Sequence, residues 1–82
     1  MVAFEFSLHA KEMLIERGIQ EAWVWRTVKT PVKKKVSVDG NVHYTKSIRE
    51  KGDRVLHVVV NPSVSPHRIV TLFFDRRLGK SK

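Results

Sequence analysis

The segment RVLHVVVNPSVSPHRIVTLFFD, residues 54–75, decides the fold class of this chain. Residues 55–60 form an almost wholly apolar run, which is typical of a central β-strand. A loop with two prolines follows at residues 61–66, and a second strongly apolar run occupies residues 68–74. Because both runs have strand length, we expect two strands in the interior of a sheet.

Two further strands are predicted upstream of this segment. Val36 and Val38 alternate with polar residues, which is the pattern of a half-buried strand. Residues 39–40, Asp-Gly, predict a two-residue hairpin turn, since both residue types tolerate positive φ. The next strand covers residues 42–49, and residues 51–53 form the turn before the central strand.

The N-terminal third predicts two helices. Ser7 is suited to cap the first helix, and Gly18 to end it in the left-handed conformation. A second helix begins near Gln20 or Glu21 and ends before Pro31, which cannot continue a helix. We therefore predict one α+β domain over residues 1–82 in the order α-α-β-β-β-β. A helical hairpin at about residues 7–30 covers one face of a four-stranded antiparallel sheet at about residues 32–76, with a frayed basic tail at 77–82.

Strand alternation predicts which side chains face away from the helices. If residues 51–53 form a three-residue turn, Ile48 lies opposite Leu56 and Ser47 opposite His57. The helix-covered face then carries Val42, Tyr44, Ile48, Leu56, Val58 and Val60. The open face carries His43, Thr45, Ser47, Arg49, Val55, His57 and Val59. Two histidines and an arginine would thus share the open face.

The charge of the chain points to an anionic partner. Among 82 residues, 16 Lys and Arg against 8 Asp and Glu give a net charge of +8. Nucleic acid, an acidic protein and an anionic membrane all fit such a charge. We do not expect a membrane partner, because the strongest basic runs lie outside the helices. Lys33, Lys34 and Lys35 form either a solvated strand edge or a site for phosphate, and the basic tail has the same two interpretations.

The composition also excludes several kinds of catalytic and metal-binding site. The chain has no cysteine, so disulfides, thiolate zinc sites and thiol catalysis are excluded. Its four histidines lack metal-ligand spacing, and its glycines form no phosphate-binding loop. We expect neither a metal nor a cofactor. The first residues mix charged with apolar side chains, unlike a signal peptide, and we expect a cytoplasmic protein.

Two motifs resemble a known family. They are FSLHA followed by ERGI, at residues 6–10 and 16–19, and the paired apolar strands closed by Asp75-Arg76. This pattern resembles the small bacterial and archaeal domains grouped as DUF4258, a domain of unknown function. That family is distantly similar to RelE- and BrnT-type ribonuclease toxins. The resemblance implies a RelE-like architecture, RNA cleavage without a metal ion, and a small acidic antitoxin as partner.

Metal-free RNA cleavage needs proton-transfer groups and cations for the phosphate. Imidazole suits acid–base work near neutral pH, and the guanidinium fork can bind two phosphate oxygens. The candidates for proton transfer are His43, His57 and, from the family motif, His9. The candidates for phosphate are Arg49, Arg54, Arg76 and Lys33, Lys34 and Lys35. The motif positions are Ser7, His9, Arg17 and Gly18.

Several candidates also have a structural interpretation. His9 could bond to neighbouring backbone, and Arg17 could pair with Glu21 or Asp75 along the apolar stripe of the first helix. One of Trp23 and Trp25 should belong to the core, and the other would anchor a partner or stack on a base. Three hypotheses remain: a ribonuclease-like toxin component, a non-catalytic nucleic-acid-binding module, and a module that binds an acidic protein.

Overall fold

The computed structural model describes residues 3–76, so the predicted tail at 77–82 lies outside the described residues. The described part is an α+β domain of two helices on a five-stranded mixed sheet. The elements in chain order are β1 (Phe4–Phe6), α1 (Leu8–Glu16), α2 (Glu21–Lys29), β2 (Lys33–Val36), β3 (Val42–Ile48), a 3-10 turn (Arg49–Lys51), β4 (Arg54–Asn61) and β5 (His67–Phe74). Neither helix is long and apolar enough to cross a membrane.

The ends of α1 follow from the residues predicted to cap it. The Ser7 hydroxyl accepts a hydrogen bond from the Ala10 amide at 3.0 Å, which satisfies one orphan donor of the first turn. Gly18 has φ +62°, and the Ile19 amide donates to the Leu14 carbonyl. Ile19 is buried, so the apolar contact expected after a glycine-terminated helix is present.

The two tryptophans of α2 are buried to different extents. Trp23 is buried in the core, as one of the pair was expected to be. Trp25 is half-buried, and its ring centroid lies 5.1 Å from that of Phe6 and 6.4 Å from that of Phe4. Trp25 packs against β1 on one side and also lines a surface hollow with Lys29 and Lys34, so its predicted role as a partner anchor or base platform stays a prediction.

Strand β1 was not predicted, and it changes the sheet from four antiparallel strands to five mixed ones. It pairs in parallel with β5, so the sheet order is β1-β5-β4-β3-β2. The Ser7 amide and hydroxyl continue this pairing by donating to the carbonyls of Ile69 and Val70, each at 3.0 Å. Ser7 thus caps α1 and ties it to β5 at the same time.

The helix-covered face of the sheet has the predicted composition. The side chains assigned to it are all buried in the core with Ala10, Trp23, Val24 and Val28: Val42, Tyr44, Ile48, Leu56, Val58 and Val60. The correct faces follow from strand alternation alone, since apolar side chains recur at every second position.

The predicted register between β3 and β4 is wrong by two residues. Ile48 pairs with Arg54 rather than Leu56, and His57 pairs with Thr45 rather than Ser47. The connection is longer than a three-residue turn because the 3-10 turn adds residues on the β3 side. A two-residue slip keeps every strand residue on the same face, so the faces predicted for residues 42–48 and 55–60 are correct.

The predicted Asp-Gly hairpin is also longer than expected. Val36 pairs with Val42, so residues 37–41 form the loop, with Gly40 at φ +89°. The Asp39 carboxylate accepts hydrogen bonds from the Ser37 hydroxyl and from the Asn41 amide. These bonds favour ionised Asp39 and lower its pKa.

An exposed ion pair joins α2 to the 3-10 turn. Arg26 donates two hydrogen bonds to the Glu50 carboxylate, at 2.9 and 3.0 Å. This bonding, more than the charge alone, lowers the pKa of Glu50 from 4.5 to about 2. Because the pKa is lower in the folded protein, the pair stabilises the fold above the ordinary pKa, and that contribution is lost as pH falls through about 2.

We therefore expect Glu50→Gln to lower Tm slightly at neutral pH, since exposed pairs contribute little. The difference from the wild type should narrow as the pH falls from 4.5 towards 2. Thermal melts over this pH range measure it, with Glu12→Gln, at an exposed position of α1, as the control. The same pH dependence in both variants would contradict a specific role for the pair.

Candidate active site

A continuous chain of three polar side chains lies at the open face of the sheet. His57 Nδ1 lies 3.0 Å from Asp75 Oδ2, and His57 Nε2 lies 2.7 Å from His43 Nδ1. The residues come from three places in the fold: β3, β4 and the position just after β5. We call Asp75, His57 and His43 the relay.

The fold holds the central histidine firmly. The His57 ring stacks on Phe73, its partner across β4 and β5, with centroids 4.9 Å apart. The His57 side chain is 13% exposed and that of Asp75 is 4% exposed. The Asp75 amide donates to the Val55 carbonyl at 2.8 Å, which extends the strand pairing by one residue. Stacking on Phe73 and the bond to Asp75 therefore position the His57 ring.

The hydrogen bonds of the relay fix which nitrogen can act as a base. A carboxylate only accepts hydrogen bonds, so His57 Nδ1 must donate to Asp75. With neutral rings, His57 Nε2 then accepts the proton of His43 Nδ1, and His43 Nε2 keeps its lone pair. If a proton is added to His43 Nε2, the resulting imidazolium charge can be shared along the chain towards Asp75. The relay can thus take up a proton at His43 and return it.

A groove of about 590 Å³ contains the relay, and two lysines lie along one side. It is lined by Lys33, Lys35, Ser37, His43, Thr45, His57 and Asp75. The register pairs Lys35 with His43 and Lys33 with Thr45, so both lysines share the face of the histidines. Lys34 has the opposite orientation and lies over the Tyr44 ring, 5.6 Å from its centroid. The three lysines therefore do not act as one patch.

The lysines occupy β2 itself, at one edge of the sheet. The alternation of Val36 and Val38 predicted a half-buried strand here, whereas every residue of β2 is exposed. Val38 instead lies in the loop after β2 and is fully exposed. An edge strand of lysines keeps its outer side solvated, and in this fold it also lines the groove.

Two other candidates lie outside the relay. His9 is exposed in the first turn of α1, and its Nε2 lies 3.0 Å from the Thr71 hydroxyl. This contact ties α1 to β5 and agrees with a structural role more than with membership of the relay. Arg49 is exposed in the 3-10 turn rather than on the open face of β3, because β3 ends at Ile48.

The remaining arginine candidates meet in a separate hollow of about 410 Å³ at the end of the sheet. It is lined by Arg17, Arg54, Val55, Phe74, Asp75 and Arg76. Arg17 is exposed at the C-cap of α1, so its placement on the buried stripe is wrong: the helix ends one residue before it. Among residues 3–76, it forms no ion pair with Glu21.

Strand alternation predicted that His43 and His57 share a face, whereas Asp75 was expected only to pair with Arg17 and to close the second motif. Alternation in β5 assigns Asp75 to a face only once the pairing of β5 with β4 is known. Asp75 is two residues after Phe73, so it falls on the same face as His57. Within the described residues, no group of three or more His, Cys, Asp or Glu side chains is placed to hold a metal ion.

A family model described as a domain of unknown function, DUF4258, matches residues 6–74. The match contains the FSLHA and ERGI segments and four of the five strands in full, and it ends just before Asp75. Comparison with curated proteins and comparison with solved structures each give no match.

Proposed function

The chain belongs to the DUF4258 family, and we propose from its site that it is a metal-independent ribonuclease, a toxin component of the RelE or BrnT kind. The observation that carries the proposal is the relay, placed in an open groove beside Lys33 and Lys35. Proton-transfer groups next to cations on an accessible surface are what phosphodiester cleavage requires.

In the proposed reaction, His43 Nε2 takes the proton of a ribose 2′-hydroxyl. The 2′-oxygen then attacks the adjacent phosphorus, and the bond from phosphorus to the 5′-oxygen breaks. The products are a 2′,3′-cyclic phosphate and a 5′-hydroxyl, so the leaving oxygen must gain a proton. The ammonium group of Lys35, the neighbour of His43 across the strand pair, is our candidate for that acid.

The proposal gives each remaining group of the groove a role. Asp75 keeps His57 in the tautomer that accepts from His43, and it stabilises the positive charge formed on the two rings. Lys33 and Lys35 attract the RNA backbone and offset the charge that develops on the phosphate. A small acidic antitoxin would cover the same lysines and block the groove.

Incubating the purified protein with single-stranded RNA in EDTA tests the proposal. We expect cleavage that leaves 2′,3′-cyclic phosphate ends, and no cleavage of RNA whose 2′-hydroxyls are methylated. His67→Gln is the matched control, because His67 lies at the start of β5 and contacts Phe4 rather than the relay.

Two outcomes would replace this proposal with another. Salt-sensitive RNA binding without cleavage would identify a non-catalytic nucleic-acid-binding module. Absence of RNA binding even at low salt would leave an acidic protein as the partner of the basic surface.

A further inference from the structure

Three arginines surround the hollow at the end of the sheet, and they come from three different elements. Arg17 follows α1, Arg54 begins β4 and Arg76 follows β5. All three are exposed. Convergence from separate elements makes the hollow a property of the fold rather than of one basic run in the sequence.

These guanidinium groups are not neutralised within the described part of the chain. The ion pairs of residues 3–76 join Arg26 to Glu50 and Arg68 to Glu5, and neither includes an arginine of the hollow. The Asp75 carboxylate also lines the hollow, but its Oδ2 is bound to His57. Three guanidinium groups and one carboxylate line the hollow, so its lining has an excess of positive charge. This charge suits an anion with several oxygens.

The hollow and the groove share a wall. Asp75 lines both. A nucleic-acid strand that continues from the relay around the end of β5 would therefore enter the hollow. A volume of about 410 Å³ lies in the range of small-ligand sites and exceeds what one phosphate group needs. Val55 and Phe74 give the hollow an apolar wall against which a sugar or base could pack.

We propose that this hollow, formed by Arg17, Arg54 and Arg76, binds a phosphate group of the RNA strand adjacent to the one that is cleaved. That the bound strand is the RNA being cleaved rests on the proposed ribonuclease function. The affinity of the hollow for a polynucleotide phosphate does not. The site makes the protein select a strand that extends beyond the scissile nucleotide pair.

Binding of an RNA that cannot be cleaved tests the hollow separately from the chemistry. The probe is a short fluorescent single-stranded RNA with every 2′-hydroxyl methylated, followed by anisotropy over a series of salt concentrations. Arg17→Gln, Arg54→Gln and Arg76→Gln should each weaken binding about tenfold, since each removes charged hydrogen bonds. Each should also reduce the slope of log Kd against log salt by about 1.

Arg68→Gln is the matched control. Arg68 is an exposed arginine at the opposite end of β5, so its loss changes the net charge equally without touching the hollow. Equal weakening by all four variants would overturn the proposal, because net charge alone would then explain the binding. Thermal melts of each variant verify that the fold is retained.

Cleavage assays separate this inference from the proposed function. A dinucleotide has only the scissile phosphate, so the gain in kcat/KM from a dinucleotide to a longer RNA should be smaller in Arg54→Gln than in the wild type. If RNA is cleaved but the three arginine variants bind like the wild type, the hollow is not a phosphate site although the proposed function stands. If the arginine variants lose binding and RNA is never cleaved, the hollow stands and the ribonuclease proposal fails. If the wild type does not bind RNA at low salt, both fail.

Discussion

His43→Ala is expected to lower the rate of RNA cleavage by about 10²–10⁴-fold, the usual contribution of a positioned general base. His43 Nε2 is the nitrogen that the hydrogen bonds of the relay leave free to accept a proton. The measurement is kcat on a single-stranded RNA in EDTA, with His67→Gln as a histidine variant outside the groove. Far-UV circular dichroism and Tm should be close to wild type, since His43 is only half-buried.

The relay also predicts how the losses of activity in single variants combine in a double variant. His57→Ala removes the ring that links His43 to Asp75, so its effect should overlap with that of His43→Ala. The double variant should then lose little more activity than the stronger single variant, because residues that act as one unit are not additive. Multiplicative losses would show that the two histidines act independently, and an unchanged kcat in His43→Ala would exclude it as the base.

Leu72→Ala should destabilise the fold by about 2–5 kcal/mol, the range for truncating a large buried aliphatic side chain. Leu72 lies on β5 at the centre of the core and is fully buried. Native domains are stable by only about 5–15 kcal/mol, and a chain of this size has a small core, so the loss is a large share of the total.

The measurement is a urea titration followed by circular dichroism. Val38→Ala is the control, since Val38 is fully exposed and its truncation should change stability by less than about 0.5 kcal/mol. Equal midpoints for the two variants would contradict the placement of Leu72 in the core.

Local patterns in the sequence are sufficient for the helices and for the faces of the sheet. Ser7, Gly18 and Pro31 mark the helix ends because each acts on the backbone beside it. Alternation of valines identifies the buried face without knowledge of which residues pair. The sequence therefore predicts that His43 and His57 share a face, and the structure adds that their rings are in hydrogen-bond contact.

Features that depend on distant pairing were not predictable in the same way. Strand β1 has three residues, too short for a periodic signal, and it is held by β5 from the far end of the chain. The register of β3 on β4 depended on the 3-10 turn at Arg49–Lys51, whose residues carry no strong turn signature. The bulge between Val59 and Val60 shifts the pairing with β5, so the partners of Asp75 could not be counted from sequence.

The parallel pairing of β1 with β5 has a consequence for synthesis on the ribosome. The hydrogen bond from Ser7 to Val70 spans 63 positions, so α1 cannot be tied to its strand until β5 has emerged. Asp75 follows at once, which means that the sheet and the relay are completed within the same few residues of translation. A nascent chain that stops before β5 therefore has neither the complete sheet nor the relay.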